Sequence, residues 1–355
     1  MHLGSGDKPG SCEMTARPTL DQPLLWLAPV LLLLASPAFA QPGALQDSTL
    51  DNLVHATNYV TAAPGTLGAV LERGKGPIDM VLVSGFGVGA SAFEGFMRRN
   101  QGRYRMFAVT LPGFEGSPAP PMPAPGTSYG DQTWTRAAIE AVVKLIRERK
   151  LARPVLVGHF INGTQVTMRI AIDHPELVRA VVLLAGTPRF EPVKPSRFWP
   201  KDLTLERKVQ AVDQFSAPRW FKTVTRATWV KGNFVATDYS ADSALGARFA
   251  DRANEPPLPV LVRYLCEFHA SDLWPELDRV RSPLLVIQPS FTTAVRSDTT
   301  RSYLQGYFEE PWRGRLEGRP RTETTFLENA GILVMEDQPV KVDRAIADFL
   351  KRMGK

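Results

Sequence analysis

Apolar residues recur along this chain in two alternating rhythms. Near-continuous apolar runs occupy Ile78 to Val83, Tyr104 to Thr110, Pro154 to Val157, Ala180 to Leu184 and Leu284 to Ile287. The first is bounded by Gly76-Pro77 and Ser84-Gly85, and the second is followed by Pro112-Gly113. Runs of this kind predict strands of a parallel sheet covered on both faces, where neither side of the pleat meets water. Between them lie stretches with helical spacing. Ile139, Val142, Val143 and Ile146 share one face, with Arg147, Glu148 and Arg149 on others. A last helix is expected from Pro339, a good first-turn residue, with Val342, Ile346, Phe349 and Leu350 as its stripe. Strands alternating with helices predict an α/β fold with a mostly parallel central sheet, helices on both faces and right-handed crossovers.

Two stretches depart from that rhythm. Residues 114–130 are rich in Pro, Gly and Ser and predict an irregular loop. Residues 188–280 contain Trp199, Trp220, Trp229 and Trp274, with Phe198, Phe215, Phe221 and Phe234 among prolines and charges. They predict a helical cap inserted between two core segments, 41–187 and 281–355. Most of its aromatics are expected to fill a core, and a few to line a cavity between cap and sheet.

The first 40 residues are not expected to be part of the fold. Leu24 to Ala35 is apolar but too short to span a bilayer as a helix, and Ala38-Phe39-Ala40 is a small-x-small site. This predicts a signal peptide cleaved after Ala40, hence a secreted or periplasmic protein, with Met14 as an alternative start. The rival reading is an uncleaved membrane anchor. Membrane contact is otherwise expected only through this segment before cleavage. Of 42 cations and 36 anions, two and three precede Gln41, so the formal charge of +6 becomes +7 on cleavage. Cys12 leaves too, and Cys266 alone cannot form an internal disulfide. The cations are scattered among Asp and Glu, so the charge reads as a solvated surface and no nucleic-acid partner is expected.

Three segments carry the chemistry. Val81-Leu82-Val83-Ser84-Gly85-Phe86-Gly87 is a strand entering a Gly-bearing turn. Pro154 to Gly163 is a strand entering a helix through Gly158-His159-Phe160-Ile161-Asn162-Gly163. Asn329-Ala330-Gly331-Ile332 precedes the last helix, with Glu336-Asp337-Gln338-Pro339 following. With Thr110 to Ser117 and Asp173 to Val178, they resemble the α/β-hydrolase superfamily in order and in element, over most of residues 55–355.

That resemblance implies a nucleophile elbow of the form G-x-S-x-G, an acid after the next-to-last core strand and a histidine after Ala-Gly. Here Phe160 stands at the nucleophile position and Asn162 at the second glycine. Thr292 stands at the acid position and Ile332 at the base position. None of the three can do the work of the residue it replaces: a phenyl ring has no lone pair to attack a carbonyl, Thr cannot hold an imidazolium, and Ile has no titratable nitrogen. A bulky residue on a strained elbow predicts either a relaxed turn or a ring that plugs the former site. The resemblance also implies oxyanion donors at the backbone N–H groups of Phe86 and Ile161, and ligand contacts at Phe86, Gly87, Phe160, Ile161, Asn162 and Ile332.

Minor candidates for rewired chemistry are His269, Ser84 and Asp298. His159 is expected to pack beneath the elbow and His174 to lie in a surface link. No metal spacing, phosphate loop or dinucleotide fingerprint is present in the sequence, so no metal or cofactor is expected. The sequence therefore predicts a pseudohydrolase that binds a small apolar or carbonyl-bearing ligand or an unidentified protein partner. The alternatives are an esterase with a non-standard nucleophile, and a scaffold with a structural role.

Overall fold

A computed structural model describes residues 61, 63, 65–192 and 203–353. The expected signal peptide, its cleavage site, Phe198 and Trp199 lie outside the described residues. Seven strands form one sheet in the order β1-β3-β2-β4-β5-β6-β7. They are β1 Val70–Arg73, β2 Ile78–Val83, β3 Tyr104–Val109, β4 Val155–His159, β5 Ala180–Leu184, β6 Leu284–Pro289 and β7 Thr322–Leu327. Only β1 runs antiparallel, against β3; all other pairings are parallel. The apolar runs became the buried strands because each side of the sheet is covered: β4 and β5 are buried at every position. The two strands at the edges, β1 and β7, carry half-exposed polar positions instead.

The helices in chain order begin with α1 Glu94–Asn100, α2 Thr133–Glu148 and α3 Phe160–Asp173. Between β5 and β6 come α4 Leu205–Ala211, a π-turn at Val212–Ser216, α5 Ala217–Thr223 and α6 Arg226–Gly232. They continue with α7 Ala236–Tyr239, α8 Ser243–Ala253 and α9 Leu258–His269. After β6 follow α10 Thr293–Ser297, α11 Tyr303–Phe308, α12 Val334–Asp337 and α13 Pro339–Met353. The α13 stripe expected from the sequence is buried: Val342, Ile346, Phe349 and Leu350 face the core. Among the described residues no helix is long and apolar enough to cross a membrane.

The helices between β5 and β6 are anchored to the core by buried charge. On α9, the fully buried Glu267 accepts hydrogen bonds from the N–H groups of Trp134 and Thr135, at 3.0 and 2.8 Å, and from Arg263 Nε at 2.9 Å. It thereby satisfies the otherwise orphaned first turn of α2 and complements the positive end of that helix. A second buried cluster joins Lys208 on α4 to Asp272 at 2.7 Å, with Arg189 bridging Asp272 and Glu191.

Candidate active site

β4 runs straight into α3 at the carboxyl edge of the sheet. The turn between them is sharp, because Phe160 adopts a φ of 55°. Two glycines allow the strand and helix to pack this closely. A Cβ on Gly158 would run into Thr167 Oγ1 and Gly163 O, and one on Gly163 into Val83 O. Asn162, at the family's second glycine, is accommodated and buried. The turn has therefore not relaxed. Instead, the Phe160 ring is fully buried. It meets Phe234 edge-on at 5.0 Å and lies nearly parallel to Phe308 at 5.8 Å. Ile161, next along α3, is also fully buried.

The loop after β6 brings no carboxylate to this point. Thr292 acts as the N-cap of α10, its hydroxyl accepting the Val295 N–H at 3.3 Å. Its neighbour Phe291 is buried and packs edge-on against Phe308 at 5.5 Å, extending the aromatic cluster. Asp298 is exposed and caps the next turn through the Thr300 N–H at 2.9 Å. The Thr300 hydroxyl and N–H hold its carboxyl below the usual range. Asp298 thus bonds locally at the surface, and no loop shift carries it back to the elbow.

At the base position Ile332 is fully buried. Its N–H donates to Asp238 O at 2.9 Å, and its carbonyl accepts from His159 Nε2 at 3.0 Å. A carbonyl can only accept, so Nε2 carries the proton and His159 is the Nε2–H tautomer. Burial pushes the His159 pKa down to about 4, with the Ile332 bond opposing. The imidazole beside the elbow is therefore neutral and serves as a strut between elbow and base loop. Its Nδ1 has no hydrogen-bond partner among the described residues.

On the opposite side, the Ser84 hydroxyl is buried and donates to Val109 O at 3.0 Å. Among the described residues it has no imidazole partner. Phe86 packs between Phe114 and Trp229, at 6.1 and 6.2 Å. Gly87 has a φ of 73°, and any side chain there would strike Ala253 O at the end of α8. Ser91 bonds Glu115 and Arg252, a hydroxyl–carboxylate–guanidinium cluster without a histidine. His269 lies 3.3 Å from the Tyr307 hydroxyl and packs among Phe190, Trp220 and Phe268. Burial first, and the Lys208 charge second, push its pKa down to about 3. A base that weak, facing a phenol whose own pKa burial raises, does not activate a nucleophile.

Sequence reasoning missed the residue that closes this region, Asp238 on α7. It is fully buried and accepts from Arg301 at 3.0 Å, Tyr303 OH at 2.6 Å and the Val235 N–H at 3.0 Å. The backbone carbonyl of its neighbour Tyr239 accepts the Leu333 N–H at 2.8 Å, and Ser240 bonds Asp337. The α7 segment is thus tied to the acid loop on one side and the base loop on the other. The pattern Asp-Tyr-Ser amid aromatics was visible, but nothing local announced its partners. A cleft of about 540 Å³ lies along α2 and α3, lined by Gln132, Arg136, Gln165, Arg169, Ser271 and Asp272, and none of Phe160, Thr292 and Ile332 borders it. Among the described residues no group of three His, Cys, Asp or Glu converges as metal ligands do.

A sharp strand–turn–helix elbow at the carboxyl edge of a parallel sheet, faced by loops after the last two strands, is the frame of a hydrolase-type site. A model of the alpha/beta hydrolase family matches residues 80–345, and the chain belongs to that family. It is 27% identical over 220 residues to the pimeloyl-[acyl-carrier protein] methyl ester esterase of Nitrosomonas europaea, covering 60% of this chain and 77% of that protein. The like-named protein of Aeromonas hydrophila matches at 29% over 121 residues, 34% of this chain and 42% of that one. Among solved structures, an esterase from Exiguobacterium antarcticum superposes with a TM-score of 0.57 at 16% identity, covering 79% of this chain and 94% of that chain. At such identities the likeness speaks for the fold alone.

Proposed function

We propose that this chain is a non-hydrolytic member of its family, exported and retained for binding. Its ligand is a small apolar or carbonyl-bearing molecule, or a protein partner, and the helices between β5 and β6 act as its cap. The observation that carries this reading is Phe160, an aromatic ring fully buried on the elbow at a φ of 55°. A reaction that begins with attack by an elbow hydroxyl has no atom to begin with. Thr292 capping a helix and Ile332 bonded through its backbone add to the same side of the argument. The N–H groups of Phe86 and Ile161 are the groups left to grip a carbonyl oxygen. The relatives are named as methyl ester esterases, which makes an ester or acid carbonyl the first ligand chemistry to try.

The test is a fluorophosphonate probe together with a panel of activated esters, applied to the pure protein. No stoichiometric label and no turnover above the buffer rate are expected. Stoichiometric labelling, or steady turnover that Ser84→Ala, Ser91→Ala or His269→Gln abolishes, would establish the esterase alternative and overturn this reading.

A further inference from the structure

Each of the seven strands carries a cation where it meets the amino edge of the sheet. Arg103 immediately precedes β3, Arg179 precedes β5 and Arg321 precedes β7, while Arg153 stands two residues before β4. Lys75 and Arg281 stand three residues before β2 and β6. Strand β1 runs the other way, and Arg73 is its last residue. Far apart in sequence, these residues are brought into one line by the parallel register, in which Ile78 pairs with Tyr104, Val155 with Ala180 and Leu284 with Thr322. Neighbouring strand ends are tied together: Arg153 donates to Val178 O at 3.1 Å, and Arg321 to Arg281 O at 3.0 Å. At about 4.8 Å per strand spacing, the line is about 29 Å long.

All but the half-buried Arg179 are exposed, and none of the seven forms an ion pair among the described residues. The acids of the same strand ends and loops are mostly engaged by other cations. Asp79 is held by Arg105 at 2.7 Å, Glu72 by Arg149 at 3.6 Å, Asp173 by Arg279 at 3.5 Å and Asp278 by Arg319 at 3.1 Å. Glu323 accepts from Arg352 Nε at 3.0 Å, and Glu148 lies 3.8 Å from Lys144. Glu176, 3.8 Å from the His174 ring, and Glu317 have no Lys or Arg partner among the described residues. Seven unpaired cations against these two acids leave the edge positive. Two positions hold their cation against local preference. Arg153 and Arg321 have φ values of 53° and 54°, left-handed backbone that Gly or Asn adopts with less strain.

We propose that this edge binds a linear sulfated polysaccharide laid across the strand ends. Cations about 5 Å apart lie within a Debye length of about 8 Å, so the line acts on a polyanion as one field. Guanidinium forks grip oxyanions through paired hydrogen bonds, and sulfation gives a sugar chain the closely spaced anions that such a line needs. Other anionic partners lack what they would use here. The large apolar side chains exposed among the described residues are Leu205, Phe215, Val230, Phe326 and Val340. Three belong to the inserted helices, and Phe326 and Val340 lie near the end of β7 and the start of α13. A bilayer therefore finds no group to bury at this edge, and a single-stranded nucleic acid finds no ring to stack on. A duplex is read by a helix or ribbon entering a groove, and this edge offers short loops. The line lies at the opposite end of the strands from Phe160, so it is separate from the small-ligand site proposed above.

The experiment is calorimetric titration of the full chain with heparin in about 0.15 M salt. Binding is expected, and it should weaken steeply as salt rises. Desulfated heparin, a short DNA duplex and vesicles containing phosphatidylserine should each bind at least about tenfold more weakly. R153Q/R281Q/R321Q should weaken heparin binding at least about tenfold while keeping a cooperative melt. R73Q/K75Q/R103Q, at the other end of the line, serves if the first variant does not fold, and it too should weaken binding. A control, R219Q/K222Q/K231Q on α5 and α6, removes the same charge and should bind as wild type. No heparin binding, an equal loss in the control, or undiminished binding of the desulfated polymer overturns the proposal. So does binding of the duplex or the vesicles as tight as that of heparin.

Discussion

At a φ of 55° the backbone of Phe160 lies where a residue with a Cβ costs about 1–3 kcal/mol. The ring must offset that cost, and its contacts with Phe234 and Phe308 are the means. Truncation keeps the strained backbone and removes the offset. Phe160→Ala is therefore expected to lose about 3–5 kcal/mol in a urea or thermal melt. A loss below about 1 kcal/mol would mean that the ring fills nothing. The placing of Phe160, Thr292 and Ile332 at the triad positions rests on sequence register alone, set by Gly158, by the apolar run Leu284 to Ile287 and by Ala330-Gly331. The choice between a relaxed turn and a plug could not be read in that way. Both satisfy the same letters, and the answer depends on rings brought from α11 and from the stretch before α7, far away in sequence.

Among the elements, α9 contributes most to joining the inserted helices to the core. Its apolar stretch from Leu258 to His269 is interrupted by Arg263 and Glu267, four residues apart and both buried. That spacing was a readable sign of a buried ion pair. What could not be read is that Glu267 also caps α2, since helix ends seek any nearby acceptor and not a sequence neighbour. Glu267→Gln leaves Arg263 buried without a counter-charge and is expected to cost about 3–5 kcal/mol. Urea midpoints check this. Adding Arg263→Met should recover part of the loss, because the two side chains act as one unit, and strictly additive losses would refute the pairing. The central strands were legible for the opposite reason: burial on both faces writes an unbroken apolar run. β1 and β7 escaped notice because an edge strand is half wet and carries Glu72, Arg73, Thr322 and Glu323 in place of such a run.

For the molecule as a whole, the core and the inserted helices are held together without a disulfide among the described residues, and Cys266 is a buried free thiol. Buried polar struts do the joining, and two of them are imidazoles. Burial holds the pKa of His159 at about 4 and of His269 at about 3, against an ordinary value of 6.5. Both pKa values are lowered on folding, so the unfolded chain takes up protons that the native state refuses. Stability must then rise with pH across the window from about 4 to 6.5 and be lost on acidification through it. Two such protons give a slope of up to about 2.7 kcal/mol per pH unit, and His159 alone accounts for about 3 kcal/mol between pH 7 and 4. Urea unfolding at steps from about pH 7.5 to 5 isolates this effect from carboxylates, which titrate mainly below that range. His159→Gln, whose amide can still donate to the Ile332 carbonyl, should cut the slope by one proton, about 1.4 kcal/mol per pH unit. A slope that the substitution leaves unchanged would mean that the imidazole is not held neutral between elbow and base loop. It would take with it the claim that a neutral imidazole ties the elbow to the loop that carries Ile332.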